Sequence, residues 1–174
     1  MSDLNISAIV EAVVRQMANS QPNNQTAQQP PITDVTLKAA VRLIEQIEKK
    51  ARSLGVNAVI AVANKGARPV AVHCMDDSYI ASYDVAFNKA YTCAALKMPT
   101  TTLKQLCQPG GELYGIQHTN EGRIIVFGGG VPIEYDGIVI GGLGVSGGSE
   151  SQDTFLAQYG EQILKEFPDS IFYT

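Results

Sequence analysis

The stretch FGGGVPIEYDGIVIGGLGVSGG, residues 127–148, decides the fold class of this chain. At its centre, Asp136-Gly137 separates two apolar runs, Val131–Tyr135 and Ile138–Gly141. An Asp-Gly pair suits the type I′ turn of a tight hairpin, because both residues tolerate the positive φ angles that this turn requires. Pro132 has no N–H group to donate, so the first strand lies at a sheet edge or contains a bulge. The stretch predicts an antiparallel hairpin.

Further elements, predicted on both sides of the hairpin, complete an α+β domain. Apolar periodicity, turn residues and helix stop signals divide the rest of the chain into helices and strands. They are a helix over residues 34–54 that ends at Gly55, strands Val56–Ala63, Pro69–Cys74 and Arg123–Phe127, and helices Tyr79–Leu96 and Gln152–Phe167. This order predicts an antiparallel sheet of about five strands with flanking helices.

Two of these helices carry specific signals at their ends or faces. Ser149 and Gln152 have the spacing of a capping box at the start of the last helix. Asp77 or Ser78 can cap the helix over Tyr79–Leu96. The many alanines of that helix allow another backbone to approach closely. Its buried face is expected to carry Ile80, Tyr83, Phe87, Ala90, Tyr91 and Ala94.

The first 33 residues differ in composition from the rest of the chain. LNISAIVEAVVRQM, residues 4–17, places apolar residues at three- and four-residue spacings and predicts a short amphipathic helix. Residues 19–33 are rich in Gln, Asn and Pro and free of charge, which is typical of a flexible linker. We expect a helix over 1–18, a linker over 19–33 and a domain over 34–174. The helix either packs on its own domain or docks on another protein.

The composition bounds the environment and the partners. The chain has 174 residues, 45% hydrophobic and 17% charged, with a formal net charge of −4. This acidic balance argues against nucleic acid and anionic membranes as partners, because phosphate binding requires a basic surface. The apolar runs are shorter than the roughly 18 residues that a membrane span needs, and no secretory signal precedes them. The three cysteines have no CxxC spacing, so we expect reduced thiols in a cytoplasmic protein.

Residues 142–147, GLGVSG, fit the GxGxxG pattern of dinucleotide-binding proteins. That interpretation requires a further parallel strand with an acidic residue about 20 residues on. One more helix follows the pattern instead. We interpret these glycines as a tight strand-to-helix turn, whose free N–H groups are able to receive an anion.

His73 and His118 are the only histidines in the chain. His73 lies in a predicted strand, where a satisfied or edge-facing side chain is the simpler interpretation. His118 lies in a loop region, where functional residues are more frequent, and is a candidate iron ligand or acid/base group. Two distant histidines make no metal site on their own. Cys93 is expected to be a buried, inert thiol, and the residues alone define no catalytic constellation.

Several stretches resemble the GlcG/HbpS family, which includes the C-terminal domain of PduO-type proteins. They are AVANKG (61–66), MDD (75–77), AFNKAYT (86–92), PGGELYG (109–115), FGGGVP (127–132), GVSGG (144–148) and QD (152–153). The resemblance spans residues 34–167 in order. It implies a profilin-like α+β domain that assembles into homo-oligomers and binds haem or, less directly, a corrinoid. Enzymatic activity is not a firm part of this family picture.

The resemblance also implies candidate residues for a haem site. The helix over residues 34–54 contains no histidine, so the axial donor is sought elsewhere. His118 is preferred because imidazole is a better iron ligand than a hydroxyl. The other candidate donors are His73, Tyr114, Thr100 and Thr101. The propionates would meet Lys89 or Arg123, and the apolar slot would come from Tyr83, Phe87 and Tyr91.

Residues 1–18, followed by the linker, resemble the encapsulation peptides of bacterial microcompartment cargo. This resemblance implies docking on a shell protein and a location in the microcompartment lumen. Our leading hypothesis is an oligomeric haem- or tetrapyrrole-binding accessory protein of a microcompartment or a carbon-source pathway such as propanediol utilisation. The alternatives are a small-molecule enzyme or corrinoid-related accessory protein that uses His118 with Glu112 or Glu121, and a ligand-free scaffold.

Overall fold

A four-stranded antiparallel sheet with helices on both faces forms the domain seen in the computed structural model, which describes residues 31–173. The predictions for residues 1–30, namely the amphipathic helix and most of the linker, lie outside the described residues. The elements in chain order are α1 (Leu37–Ser53), β1 (Val59–Asn64), β2 (Pro69–Cys74), α2 (Ser82–Leu96), α3 (Thr100–Leu106), 3₁₀ turns Ile116–His118 and Asn120–Gly122, β3 (Gly130–Tyr135), β4 (Ile138–Ser146), α4 (Glu150–Glu166) and α5 (Pro168–Phe172).

The sheet has the strand order β2-β1-β4-β3, and every neighbouring pair is antiparallel. This confirms the predicted α+β class, with four strands instead of about five. The strand predicted over Arg123–Phe127 is wrong, because this segment pairs with none of the four strands, and side chains on helices bind N–H groups in it and directly after it. The N–H of Ile125 donates to the Thr92 hydroxyl at 3.0 Å, and that of Gly128 donates to Glu150 at 2.8 Å.

The β3–β4 hairpin forms as the sequence predicts. Asp136 and Gly137 have φ angles of 49° and 74°, as a type I′ turn requires. Pro132 lies in β3, which is an edge strand. The second strand continues to Ser146, five residues beyond its predicted end at Gly141.

The two faces of the sheet carry different cores. Helices α1 and α4 cover one face, where Ile60 and Val62 join a large cluster of buried aliphatic side chains. Helix α2 covers the other face, where Val59 and Ala61 meet a smaller cluster made mostly of alanine. Among residues 31–173, no helix is long and apolar enough to cross a lipid bilayer.

Helix α2 lies directly on the glycines of β4. A Cβ atom on Gly142 would overlap the Ala90 carbonyl, and one on Gly144 would overlap the Ala86 carbonyl. The expectation that the alanines admit a close backbone is thus confirmed. The dinucleotide interpretation of the GxGxxG pattern fails, because Gly142 and Gly144 are contact positions inside an antiparallel strand. We call this contact the α2–β4 seam.

The same seam corrects two predictions for α2. The helix begins at Ser82 after Ala81, which makes no side-chain cap, so neither Asp77 nor Ser78 caps it. Ile80 is 96% exposed and Tyr83 is 49% exposed, although both were expected on the buried face. The helix backbone at Ala86 and Ala90 lies directly on the glycines, so Tyr83 points to the other side of the helix, and Ile80 lies before the helix begins. Ala90 and Ala94 are buried as predicted.

Local signals at the ends of α1 and α4 are confirmed. Gly55 follows α1 with a φ angle of 66°, as a C′ glycine does. Ser149 and Gln152 form the predicted capping box at the start of α4.

We expect Gly144→Ala to lower the free energy of unfolding by about 2 kcal/mol or more, because its new methyl group meets fixed backbone. The control is Gly66→Ala in the β1–β2 turn, whose Cβ would meet only the Asn64 side chain at 3.4 Å. The control should change stability by less than about 0.5 kcal/mol in urea titrations. Equal stability of the two variants would disprove the close packing of the seam.

Candidate functional site

The outer surface of α2 holds an arginine stacked on two aromatic rings. The guanidinium carbon of Arg123 lies 3.7 Å from the centre of the Tyr91 ring and 5.3 Å from that of Phe87. Its Nε donates to Asn88 Oδ1 at 3.4 Å, and the Asn120 amide donates to the Tyr91 hydroxyl at 3.0 Å. We call these five residues the Arg123 platform. The structure thus brings together three residues predicted for one ligand site.

The platform forms because the loop after α3 is anchored to α2. Phe87 and Tyr91 are four residues apart and share one side of the helix. Thr92 follows Tyr91 in the helix. Its hydroxyl donates to the Asn88 carbonyl at 2.7 Å and accepts a hydrogen bond from the N–H of Ile125 at 3.0 Å. These bonds hold the loop, and with it Arg123, against the outer side of α2.

The guanidinium of Arg123 has no carboxylate partner among residues 31–173. Several cations elsewhere in the described part of the chain do have one, such as Lys104 with Glu150 and Lys165 with Glu161. A guanidinium carries five N–H donors, and the Arg123 Nε uses one of them. The planar cation therefore offers its two terminal nitrogens to an anion, as in bidentate recognition of carboxylates.

His118 lies on the same loop as the platform. It ends the 3₁₀ turn Ile116–His118, is exposed, and precedes Asn120 by two residues. The Nε2 of its ring lies 3.5 Å from the side-chain nitrogen Nε2 of Gln117. The side-chain oxygen of Gln117, Oε1, is shielded from solvent and has no hydrogen-bond partner. A shielded acceptor without a donor is uncommon in folded proteins. Tyr114, on this loop too, is 66% exposed.

His73 lies on the other face of the sheet. It is paired with Ile60 in the β1–β2 ladder, and its Nδ1 is 2.8 Å from Glu48 Oε1 on α1. Its strand, β2, is at the sheet edge. This position agrees with a satisfied, edge-facing side chain, and it separates His73 from the Arg123 platform.

The two threonines stand at the start of α3. Thr100 is buried, and its hydroxyl accepts a hydrogen bond from the N–H of Gly130 at 2.9 Å. This bond already stabilises the turn before β3. Thr101 is half-buried. A ligand role for either hydroxyl stays a prediction.

Lys89 is fully buried beneath the platform, on the sheet side of α2. Its ammonium donates to Asp153 Oδ2 at 2.9 Å and to the Val145 carbonyl at 2.7 Å, and it lies 5.0 Å from the centre of the Phe127 ring. Desolvation by burial lowers the pKa of Lys89, and Asp153 partly opposes this shift. The sequence predicts Lys89 as a surface cation for an anionic ligand. In the structure its charge is out of reach of such a ligand and already has a counterion.

The turn predicted over residues 142–147 is wrong for 142–146, which lie in β4, and the turn before α4 uses Gly147 and Gly148 to receive the chain's own Asp153. The Gly148 N–H donates to Asp153 Oδ1 at 2.9 Å. Gly129, with a φ angle of 108°, packs against the same pair, since a Cβ there would lie 2.6 Å from the Lys89 nitrogen. Sequence reasoning missed the role of Asp153. The available signal was that Lys89 shares the helix side of Ala86 and Cys93, where a charge needs a partner.

No acid/base or metal cluster accompanies these groups in the described residues. No hydrogen bond joins His118 to Glu112 or Glu121, and no group of three metal-ligating side chains occurs in residues 31–173. Cys93 is buried, and desolvation raises its pKa to about 12, which keeps it a thiol.

In comparisons with known proteins, residues 35–162 match the family described as haem degrading protein HbpS-like. The chain is 42% identical over 127 residues to an uncharacterized 15.0 kDa protein of the dhaT-dhaS intergenic region of Citrobacter freundii, covering 73% of this chain and 89% of that protein. It is 36% identical over 136 residues to the corrinoid adenosyltransferase PduO of Salmonella typhimurium. That match covers 75% of this chain but only 40% of PduO.

Two solved structures share the fold at comparable identity. Klebsiella pneumoniae protein ORFY superposes with a TM-score of 0.75 at 36% identity, covering 82% of this chain and 99% of that one. The PduOC:heme complex superposes with a TM-score of 0.71 at 34% identity, covering 74% and 93%.

We expect Asp153→Ala to destabilise the domain by about 3–5 kcal/mol, because it leaves the Lys89 ammonium buried without a counterion. Glu161→Ala is the matched control on α4, since it breaks the more exposed pair with Lys165 and should cost about 1 kcal/mol or less. Chemical denaturation measures both. Similar small losses in the two variants would contradict the burial of the pair.

Proposed function

The chain belongs to the HbpS-like family, and from that premise we propose that it is a haem-binding accessory protein whose site is the Arg123 platform with the His118 loop. The observation that carries this proposal is the unpaired guanidinium of Arg123 on two aromatic rings. Haem is a planar, mostly apolar molecule with two carboxylates. An aromatic surface, a free cation and an exposed imidazole are what such a molecule requires, so the residues present fit it.

Each group in the site has a distinct part. The exposed ring of Tyr83 and the half-buried ring of Phe87 would pack on the macrocycle. Arg123 would hold a propionate through its terminal N–H groups. His118 would donate a ring nitrogen to the iron, and Tyr114 stays the candidate hydroxyl donor on the same loop. Bound haem would supply an iron centre for ligand or electron chemistry, tuned by this axial ligand.

The charge of the site favours haem over a corrinoid. The side chains around a corrin ring are mostly neutral amides, whereas haem presents two carboxylates. A free guanidinium gains more from a carboxylate than from an amide, because a charge-assisted hydrogen bond is about twice as strong as a neutral one. Similarity to part of PduO keeps corrinoid binding as the alternative within the same proposal.

The exposed apolar side chains before and along α2 support a homo-oligomer. Tyr79 is 74% exposed and Ile80 is 96% exposed, close to Tyr83 at 49%. Neighbouring large apolar side chains on a surface favour association with another protein surface. We propose that a second copy covers Tyr79 and Ile80, and that Tyr83 stays available to the ligand.

We further propose that residues 1–18 direct the protein to a microcompartment shell in the cytoplasm. The support is the amphipathic spacing of residues 4–17 followed by the uncharged linker. Deleting residues 1–32 should abolish co-purification with shell proteins and change the melting temperature of the domain by less than about 2 °C. A large fall in melting temperature would show instead that this segment packs on its own domain.

The haem proposal predicts different spectra for the two histidine variants. His118→Ala should weaken haemin binding and shift the Soret maximum, because the iron loses its imidazole while apolar contacts retain part of the affinity. His73→Ala, on the opposite face, is the matched control and should keep the wild-type spectrum. Haemin titration followed by absorbance tests both. Wild-type spectra for both variants would rule out histidine ligation.

A further inference from the structure

A cavity lies on the face of the sheet opposite the Arg123 platform. It is a groove of about 490 Å³ where α1 meets α4 and α5, and Arg42, Gln46, Tyr159, Ile163, Phe167 and Ile171 line it. Tyr159 and Ile163 are half-buried, and Phe167 is 59% exposed. The volume falls within the usual range for small-molecule pockets, about 300–1,000 Å³. We call it the Arg42 groove.

The groove combines apolar walls with one available cation. Arg42 is half-buried, and its only hydrogen bond in the described residues is a long one, from Nη1 to the Ile171 carbonyl at 3.4 Å. No carboxylate in residues 31–173 pairs with it, whereas Arg52 on the same helix pairs with Glu48. The guanidinium therefore keeps donors that an anion can use.

These features select one class of ligand. A phosphate or other multiply charged ion needs several cationic groups to balance its charge, and Arg42 is the one cation among the lining residues described. A neutral apolar molecule would leave the guanidinium partly desolvated without a partner, which costs free energy. A ligand with a single carboxylate and an apolar tail would pair with Arg42 and also cover the apolar walls.

We propose that the Arg42 groove binds a small amphiphilic carboxylate, a straight-chain acid of about eight carbons or an aryl acid of similar size. The carboxylate accepts from Arg42, and the tail covers Ile163 and Phe167. This site is independent of the proposed haem site, because the sheet separates α1 and α4 from α2.

The test uses the full chain and three probes of equal length: octanoate, octanol and octylamine. Isothermal titration calorimetry should show saturable binding of one octanoate per chain, and binding of octanol and octylamine weaker by about tenfold or more. Equal binding of octanol, or no saturable binding of octanoate, would overturn the proposal without any variant.

Variants locate the site. Arg42→Gln should weaken octanoate binding by about tenfold while leaving octanol binding unchanged. Arg68→Gln is the control, since Arg68 is exposed in the β1–β2 turn and distant in sequence from every lining residue. Phe167→Ala should weaken both probes, because it removes part of the apolar wall. Unchanged octanoate binding in Arg42→Gln, with the fold verified by circular dichroism, would place the carboxylate elsewhere and disprove the assignment.

Discussion

The contact between α2 and the glycines of β4 constrains the rest of the domain. Gly142 and Gly144 leave no space for a Cβ beneath the helix, so the backbone at Ala86 and Ala90 contacts them directly, and the long side chain of Lys89 extends past them towards Asp153. The aromatic side chains Phe87 and Tyr91 must then lie on the outer side. Arg123 can stack on them because the loop after α3 runs along that outer surface. The candidate site is in this sense a consequence of packing between two backbones.

The seam also explains why a lysine is buried. Lys89 falls on the crowded side of α2, and its long side chain reaches the end of β4, where Asp153 and the Val145 carbonyl accept hydrogen bonds from its ammonium group. Asp153 simultaneously accepts from Gly148, so one carboxylate fixes the turn that leads into α4. A buried pair of this kind specifies one arrangement of α2 and α4, because removing either partner leaves an uncompensated charge.

Sequence alone predicted the features that depend on neighbouring residues. The Asp136-Gly137 turn, the Gly55 helix end and the Ser149 capping box each follow from a few adjacent side chains. Non-local contacts decided the rest. Lys89 and Asp153 are 64 residues apart, and the segment Arg123–Phe127 is apolar enough for a strand but bonds to helices instead. The sequence predicted Arg123, Phe87 and Tyr91 as residues of one candidate site, but their stacking depends on the folded loop.

The central claim is that Arg123 binds a carboxylate of a planar ligand that lies on the outer side of α2. The most direct measurement compares the affinities of haemin and haemin dimethyl ester, which lacks the propionate charges, for the wild-type protein and Arg123→Gln. The account predicts that wild type prefers haemin by about tenfold or more and that Arg123→Gln loses this preference. The same preference in both proteins, or none in wild type, would contradict it.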